Sequence, residues 1–286
     1  MRLFELGLLV TCLGASGNLF AETSLPAAQT EAGRWEFALS LGTGKVTTPL
    51  SNRDDLQGSV LPVISYYGER FFIENSFVGY SLVERDHWYL DLVGSLNDDG
   101  FFFELDGVNQ FGWWDALGIE RSHGVEFEGE APADPPGTFE DIERNMSYMA
   151  GASVTWLTDL AELRLTVLTD VSGVHHGQEQ HLSIRKSYSY QQWQFRWQLG
   201  ALHKDQQINN YYYNLRPYEL YNAETWFRLS DSWQYFYALT LSYQFDPHWA
   251  IQAFWQKNQL DKDLLKSPLL AQDHYYSRFI GVRYSF

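Results

Sequence analysis

Cysteine is nearly missing from this chain. Among 286 residues there is one, Cys12, and it lies in the first apolar run, so a processed chain would hold no disulfide, no cysteine-bound zinc and no thiol nucleophile. Basic residues are few. Lys and Arg number 20 against 36 Asp and Glu, and the net charge of −16 repels a phosphate backbone, which excludes nucleic acid as a partner. Long hydrophobic runs are scarce as well: beyond the leading segment no stretch of about 18 predominantly apolar residues occurs, so no helix there is suited to crossing a bilayer. What the chain has instead is aromatic side chains, 17% of all residues with 11 Trp and 18 Tyr, a content foreign to disordered or collagen-like chains.

The leading segment has the layout of an export signal. Arg2 supplies a positive start, Leu3 to Phe20 is largely apolar, and Ala21 precedes the polar Glu22, Thr23 and Ser24. A signal peptide over residues 1–21 is therefore expected.

From Arg34 onward the dominant period is two, the mark of strands with unlike faces. Trp35, Phe37, Leu39 and Leu41 alternate with Glu36, Ala38, Ser40 and Gly42, and Trp193, Phe195, Trp197 and Leu199 with Gln194, Arg196, Gln198 and Gly200. In Tyr235 to Phe245 the alternation holds except at Phe236, an aromatic on the polar face. A soluble sandwich and a transmembrane barrel both use such strands. The barrel is favoured because aromatics cluster at strand ends with aliphatic or small residues between them, as in Trp249-Ile251-Ala253-Trp255, like the girdles that flank an apolar band. Segments of about 9 to 13 residues also suit a tilted crossing better than the usual soluble strand. The last strand exposes Ile280, Val282, Tyr284 and Phe286 on one face and ends the chain on Phe286; Tyr284 and Phe286 resemble the assembly signal read by the barrel-assembly machinery.

The expected fold is thus all-β, a transmembrane antiparallel up-and-down barrel of about 12 strands with 10 as the fallback. Residues 22–33 form a periplasmic segment and 34–286 the barrel. Short connections near Tyr67 to Glu69, Glu84 to Asp86, Thr158 to Ala161, Gln191 to Gln192 and Asp246 to Pro247 belong on the periplasmic side, and the long ones outside. Between the first two short turns only two brief strands fit, Phe71 to Asn75 and Phe77 to Leu82.

The longest connection, residues 97–145, holds thirteen acidic residues and two basic ones, Arg121 and Arg144. A solvated loop facing lipopolysaccharide, a folded lid, a partner surface and a calcium site through clustered carboxylates all suit that composition, although no EF-hand spacing occurs. On the polar face, Glu36, Asp91, Glu162, Arg164, Asp170, Arg196 and Arg283 are expected to point into the lumen, because a basic side chain at the lipid midplane costs about 2 to 4 kcal/mol. They can line a conducting pore or pair across a filled one. Two outer-loop clusters have residue types suited to catalysis: His175 and His176 with Glu179 and His181, and His203 with Lys204 and Asp205. Neither comes with a nucleophile motif, so no catalytic, cofactor or metal residue is assigned.

Several blocks, in order, resemble the MipA/OmpV family of outer-membrane proteins. They are Leu61-Pro62-Val63-Ile64-Ser65-Tyr66-Tyr67-Gly68-Glu69-Arg70-Phe71-Phe72 followed by Val78-Gly79-Tyr80, Asn210-Tyr211-Tyr212-Tyr213 running to Pro217, Lys266-Ser267-Pro268, and Gly281-Val282-Arg283-Tyr284-Ser285-Phe286. The chain departs at Asn214, where a glycine is expected, and at Arg216, where serine or threonine precedes the proline. The resemblance implies an outer-membrane barrel without cofactor or catalytic residues, set in outer-membrane lipid and lipopolysaccharide. It further implies a scaffold bringing a lytic murein transglycosylase together with a murein synthase, or in other members a porin or adhesin. A porin-like diffusion channel is the alternative, and an outer-membrane hydrolase the lesser one.

Overall fold

The computed structural model describes residues 33–51, 53–75, 77–104, 142, 144–216, 219 and 227–286. The expected signal peptide, residues 22–32 and most of the acidic connection lie outside them.

Twelve antiparallel strands close into one barrel in sequence order, the first pairing with the last. They are β1 (Arg34–Val46), β2 (Leu56–Tyr67), β3 (Phe71–Glu74), β4 (Phe77–Arg85), β5 (Trp88–Leu96), β6 (Tyr148–Leu157), β7 (Glu162–Asp170), β8 (Gln178–Tyr190), β9 (Trp193–Lys204), β10 (Ser232–Gln244), β11 (Trp249–Gln259) and β12 (His274–Ser285). Closure leaves no free sheet edge between the first and last strands, the arrangement a hydrocarbon solvent demands. Among the described residues two α-helices lie in the long connections, α1 (Asp98–Glu104) and α2 (Gln206–Tyr213), with a 3-10 turn at Lys262–Lys266.

The sequence alternation becomes an inside and an outside. On β12, Ile280 is 56% exposed while its neighbour Phe279 is 3% exposed, and the same contrast separates Leu182, Val167, Leu92 and Ile251 from the residues beside them. Exposed aliphatics form the lipid-facing band. Aromatic pairs edge it near the tight turns: Trp35 with Tyr66 (4.8 Å), Trp193 with Tyr243 (4.7 Å) and Trp249 with Tyr284 (4.7 Å). That end carries the tight turns and both ends of the barrel chain, the pattern expected of the periplasmic end. There the Phe286 amide donates to the Phe37 carbonyl (2.9 Å), and Phe286 packs edge-on to Tyr284.

The short pair β3–β4 has a local cause. Asn75 takes the left-handed conformation (φ 52°), and its Oδ1 accepts from the Ile64 amide (2.9 Å) while its own amide donates to the Ile64 carbonyl (2.8 Å). Asparagine tolerates that backbone better than most residues. The hairpin therefore turns back early, and the stretch of β2 beyond Ile64 pairs only with β1 among the described residues. Pro62 lies in that stretch, two residues from Ile64, so its missing N–H faces the side on which no ladder partner stands.

Phe236, the aromatic out of pattern, points inward and is accommodated from across the sheet. It sits directly opposite Gly200, where a Cβ would lie 2.0 Å from the Phe236 ring. Glycine there is a requirement of packing.

Candidate functional site

The outer mouth of the barrel is filled from within. Asp205 starts α2: its Oδ1 accepts from the amides of Gln207 and Ile208 (3.0 Å each), and its Oδ2 accepts from the Gln178 amide (2.8 Å). This is an N-cap that also ties the helix to β8. Ile208 and Tyr212, four residues apart and so on one helix face, are fully buried, as is Tyr213. They pack with Phe102 and Phe103 of α1, Ile142, and Leu264, Leu269 and Leu270 of the β11–β12 connection. Each such side chain contributes roughly 1.5–3 kcal/mol when fully removed from water, so the mouth holds a hydrophobic core of its own.

Charged groups pin this plug to the wall. Lys204, at the top of β9, places Nζ 2.8 and 2.7 Å from the two carboxylate oxygens of Asp99 in α1, and Tyr213 donates to the same carboxylate (2.8 Å). Asn97 donates to Glu179 (3.2 Å), which also pairs with His181 (3.0 Å). Burial pushes the neighbouring Asp98 carboxyl up to about 7 against the pull of Lys204. On the opposite flank Arg144, 2% exposed, donates to the carbonyls of Tyr211 (2.6 Å) and Asn214 (2.9 Å) and grips Glu219 with two nitrogens (2.7 and 3.0 Å). Burial works to raise the Glu219 pKa, but those bonds hold it below the usual range. Arg53 donates to the Phe102, Phe103 and Ile142 carbonyls, so the β1–β2 connection is bound in as well. The described ends of the acidic connection thus fold into the mouth.

The members of the two loop clusters separate in space. His203 faces outward against Trp233 (4.9 Å between rings), Lys204 points inward to Asp99, and Asp205 caps α2. His176 contributes its amide to Asp170. His175 has a different surrounding, one the sequence did not suggest: its Nε2 lies 2.8 Å from Ser147 Oγ, and its Nδ1 lies 3.8 Å from Asp170. The arrangement has the composition of a hydrolytic triad, but its protonation is reversed. The Gly177 amide donates to Nδ1 (2.9 Å), so the proton of the neutral ring is on Nε2 and is given to Ser147. A ring in that tautomer cannot accept the serine proton. Ser147 Oγ also receives the Tyr212 hydroxyl (3.3 Å). Burial holds the His175 pKa below its usual value against the pull of Asp170, and Asp170 itself accepts from the amides of Ser172, Gly173, His175 and His176. Among the described residues, no cluster of three metal-ligating side chains occurs.

Below the plug a cavity of about 60 Å³ lies among Thr166, Ser183, Gln198, Gln234, Gln256 and Asn258, polar enough and large enough to hold water. The remaining expected lumen residues already have partners, and Arg164 also lines this cavity. Ser65 donates to Glu36 (3.4 Å), and Ser81 to Asp91 (2.5 Å). Glu162 pairs with Arg164 (3.5 Å) and Arg185 (2.7 Å), Arg196 donates to Ser187 (3.0 Å), and Arg283 is 8% exposed on β12. Inward side chains of β8 become more exposed from Glu179 through Arg185 to Ser187 and Ser189, because β7 reaches only to Glu162, opposite Arg185, and the β8–β9 hairpin continues past it.

The family described as MltA-interacting protein MipA matches residues 37–286. YiaT of Escherichia coli O157:H7, whose name calls it an outer membrane protein, is 21% identical over 250 residues, covering 87% of this chain and 91% of its own. Among solved structures, the translocator domain of the autotransporter NalP from Neisseria meningitidis is 12% identical with a TM-score of 0.44 and 97% of each chain covered. The NanC porin is also 12% identical, with a TM-score of 0.39, 86% of this chain and 98% of its own. The molecule is an outer-membrane β-barrel.

Proposed function

Because the chain belongs to the MipA family, we propose that it is an outer-membrane anchor that organises cell-envelope partners, without a reaction of its own. The observation that carries this reading is the filled mouth, where Lys204 and Asp99 are 2% and 4% exposed among apolar side chains. A solute crossing there must break a buried ion pair, which costs several kcal/mol. The family's description names interaction with MltA, and a lytic murein transglycosylase together with a murein synthase are the partners proposed. They would meet the periplasmic face, where the β6–β7 turn presents Leu160 at 85% exposure. The reversed tautomer of His175 supports the absence of hydrolysis. The proposed role of Glu36, Asp91, Glu162, Arg164, Arg196 and Arg283 is to fill and pair across the lumen, and that of Tyr284 and Phe286 is to guide assembly.

The test is capture of a purified lytic murein transglycosylase by the full-length refolded barrel in detergent, measured as a saturable binding curve. Saturable binding that weakens in Leu160→Ser supports the anchor. Lack of binding, together with reproducible conductance steps in planar bilayers, replaces it with a diffusion channel.

A further inference from the structure

The outward face of the wall carries few charges, and all of them are basic. Lys45 on β1, Arg85 on β4, Lys186 on β8, Lys257 on β11 and Arg278 on β12 point outward, and no strand sends an acidic side chain that way. In a chain with 36 acidic against 20 basic residues, this is sorting by sign. Arg85 and Lys186 mark the periplasmic end, where Lys186 donates to the Asp159 carbonyl. The other three gather near the outer end of three adjacent strands.

Their register makes them one cluster. Lys45 stands directly opposite Arg278, Arg278 opposite Trp255, and Lys257 opposite Tyr276. Lys257 is therefore the diagonal neighbour of Arg278, at about 7–8 Å between backbones. Trp255 and Tyr276 lie between them with rings 6.1 Å apart, and the Lys257 ammonium is 5.9 Å from the Tyr276 ring. Asp55 neutralises Lys45 (2.6 Å). Arg278 is exposed and has no carboxylate partner among the described residues, and Lys257 has only the aromatic ring. Two neighbouring cations on a lipid-facing wall repel each other unless an anion lies between them, and at the aromatic belt the anions at hand belong to lipid headgroups.

We propose that Lys257 and Arg278, flanked by Lys45, Trp255 and Tyr276, form a binding site on the outer wall for a phosphate group of an outer-leaflet phosphoglycolipid. The guanidinium offers a paired donor fork to phosphate oxygens and the ammonium a point charge, while the rings lie against the lipid at the belt.

Native mass spectrometry of the full-length barrel in mixed micelles tests this, with diphosphoryl lipid A as the probe and phosphatidylethanolamine as the comparison. The parent is expected to retain diphosphoryl lipid A preferentially, and the double variant Arg278→Gln, Lys257→Gln to lose about tenfold in affinity. Arg85→Gln with Lys186→Gln leaves retention unchanged, and Arg278→Lys with Lys257→Arg, which keeps both charges, retains the lipid should the glutamine pair fail to fold. Equal retention by the glutamine pair, equal loss in the periplasmic pair, loss in the charge-preserving pair, or displacement by excess inorganic phosphate each overturns the proposal.

Discussion

Asp99 and Lys204 are 105 positions apart in the chain, and their pairing shows what the sequence could not convey. Read along the chain, Asp99 is one of thirteen acids in a connection that suits solvent, and Lys204 a charge at a strand end. Only the return of α1 into the mouth brings them together. Removing one partner leaves the other buried and unpaired, so Asp99→Asn is expected to cost about 3–5 kcal/mol, read from urea unfolding of the refolded protein by gel mobility. Asp98 beside it has the opposite problem: burial raises its folded pKa to about 7 from 3.8, so the folded state holds a proton that the unfolded chain releases. Its stabilising contribution is complete below about pH 4 and is lost as pH rises through 7. Asp98→Asn should therefore match the parent near pH 4 and exceed it in unfolding midpoint at pH 8; a variant advantage that does not change with pH would refute the assignment. By contrast, the expectation that Asp91 and Arg164 face inward needs alternation alone, since neighbours on a strand face opposite sides.

At the level of elements, all twelve strands were legible, including the four-residue β3, although β4 runs to Arg85, past the expected Leu82, because lipid outside and polar groups inside impose a period of two on nearly every residue. The helices were not. α1 and α2 have seven and eight residues, too short for helical periodicity to stand out, and the start of α2 was legible only as an aspartate near a histidine. That aspartate stabilises the helix by capping it, and Asp205→Ala should cost about 0.5–2 kcal/mol, seen as faster proteolysis of the β9–β10 connection with the barrel itself still folded. The aromatic anomaly on β10 has its answer on β9. Gly200→Val places a branched side chain in the space that Phe236 occupies, an overpacking cost of about 1–3 kcal/mol, and Phe236→Leu in the same chain should recover much of the lost folding yield.

For the whole molecule, the two roles left open by the sequence differ in what the lumen does, and the plug is where an experiment can tell them apart. Above the polar cavity stand Phe102, Phe103, Tyr212 and Tyr213, tied to the wall by Asp99, Lys204 and Arg144; below it the inward side chains grow more exposed toward the periplasm. The described residues fill the outer end, and on the proposed anchoring role the parent should be silent in planar bilayers. Truncating Phe102, Phe103 and Tyr213 together to alanine removes three buried aromatic side chains, at about 3–5 kcal/mol for each phenylalanine, more than the mouth can absorb and still stay packed. The closed wall does not depend on those residues, because its strands pair with their neighbours in order from β1 round to β12. The variant is thus expected to keep its heat-modifiable gel mobility while showing conductance steps, with a polar lumen ready to hold water once the apolar cap loosens. Steps of equal size in the parent would mean that the mouth opens unaided, and the anchoring role would lose its main support.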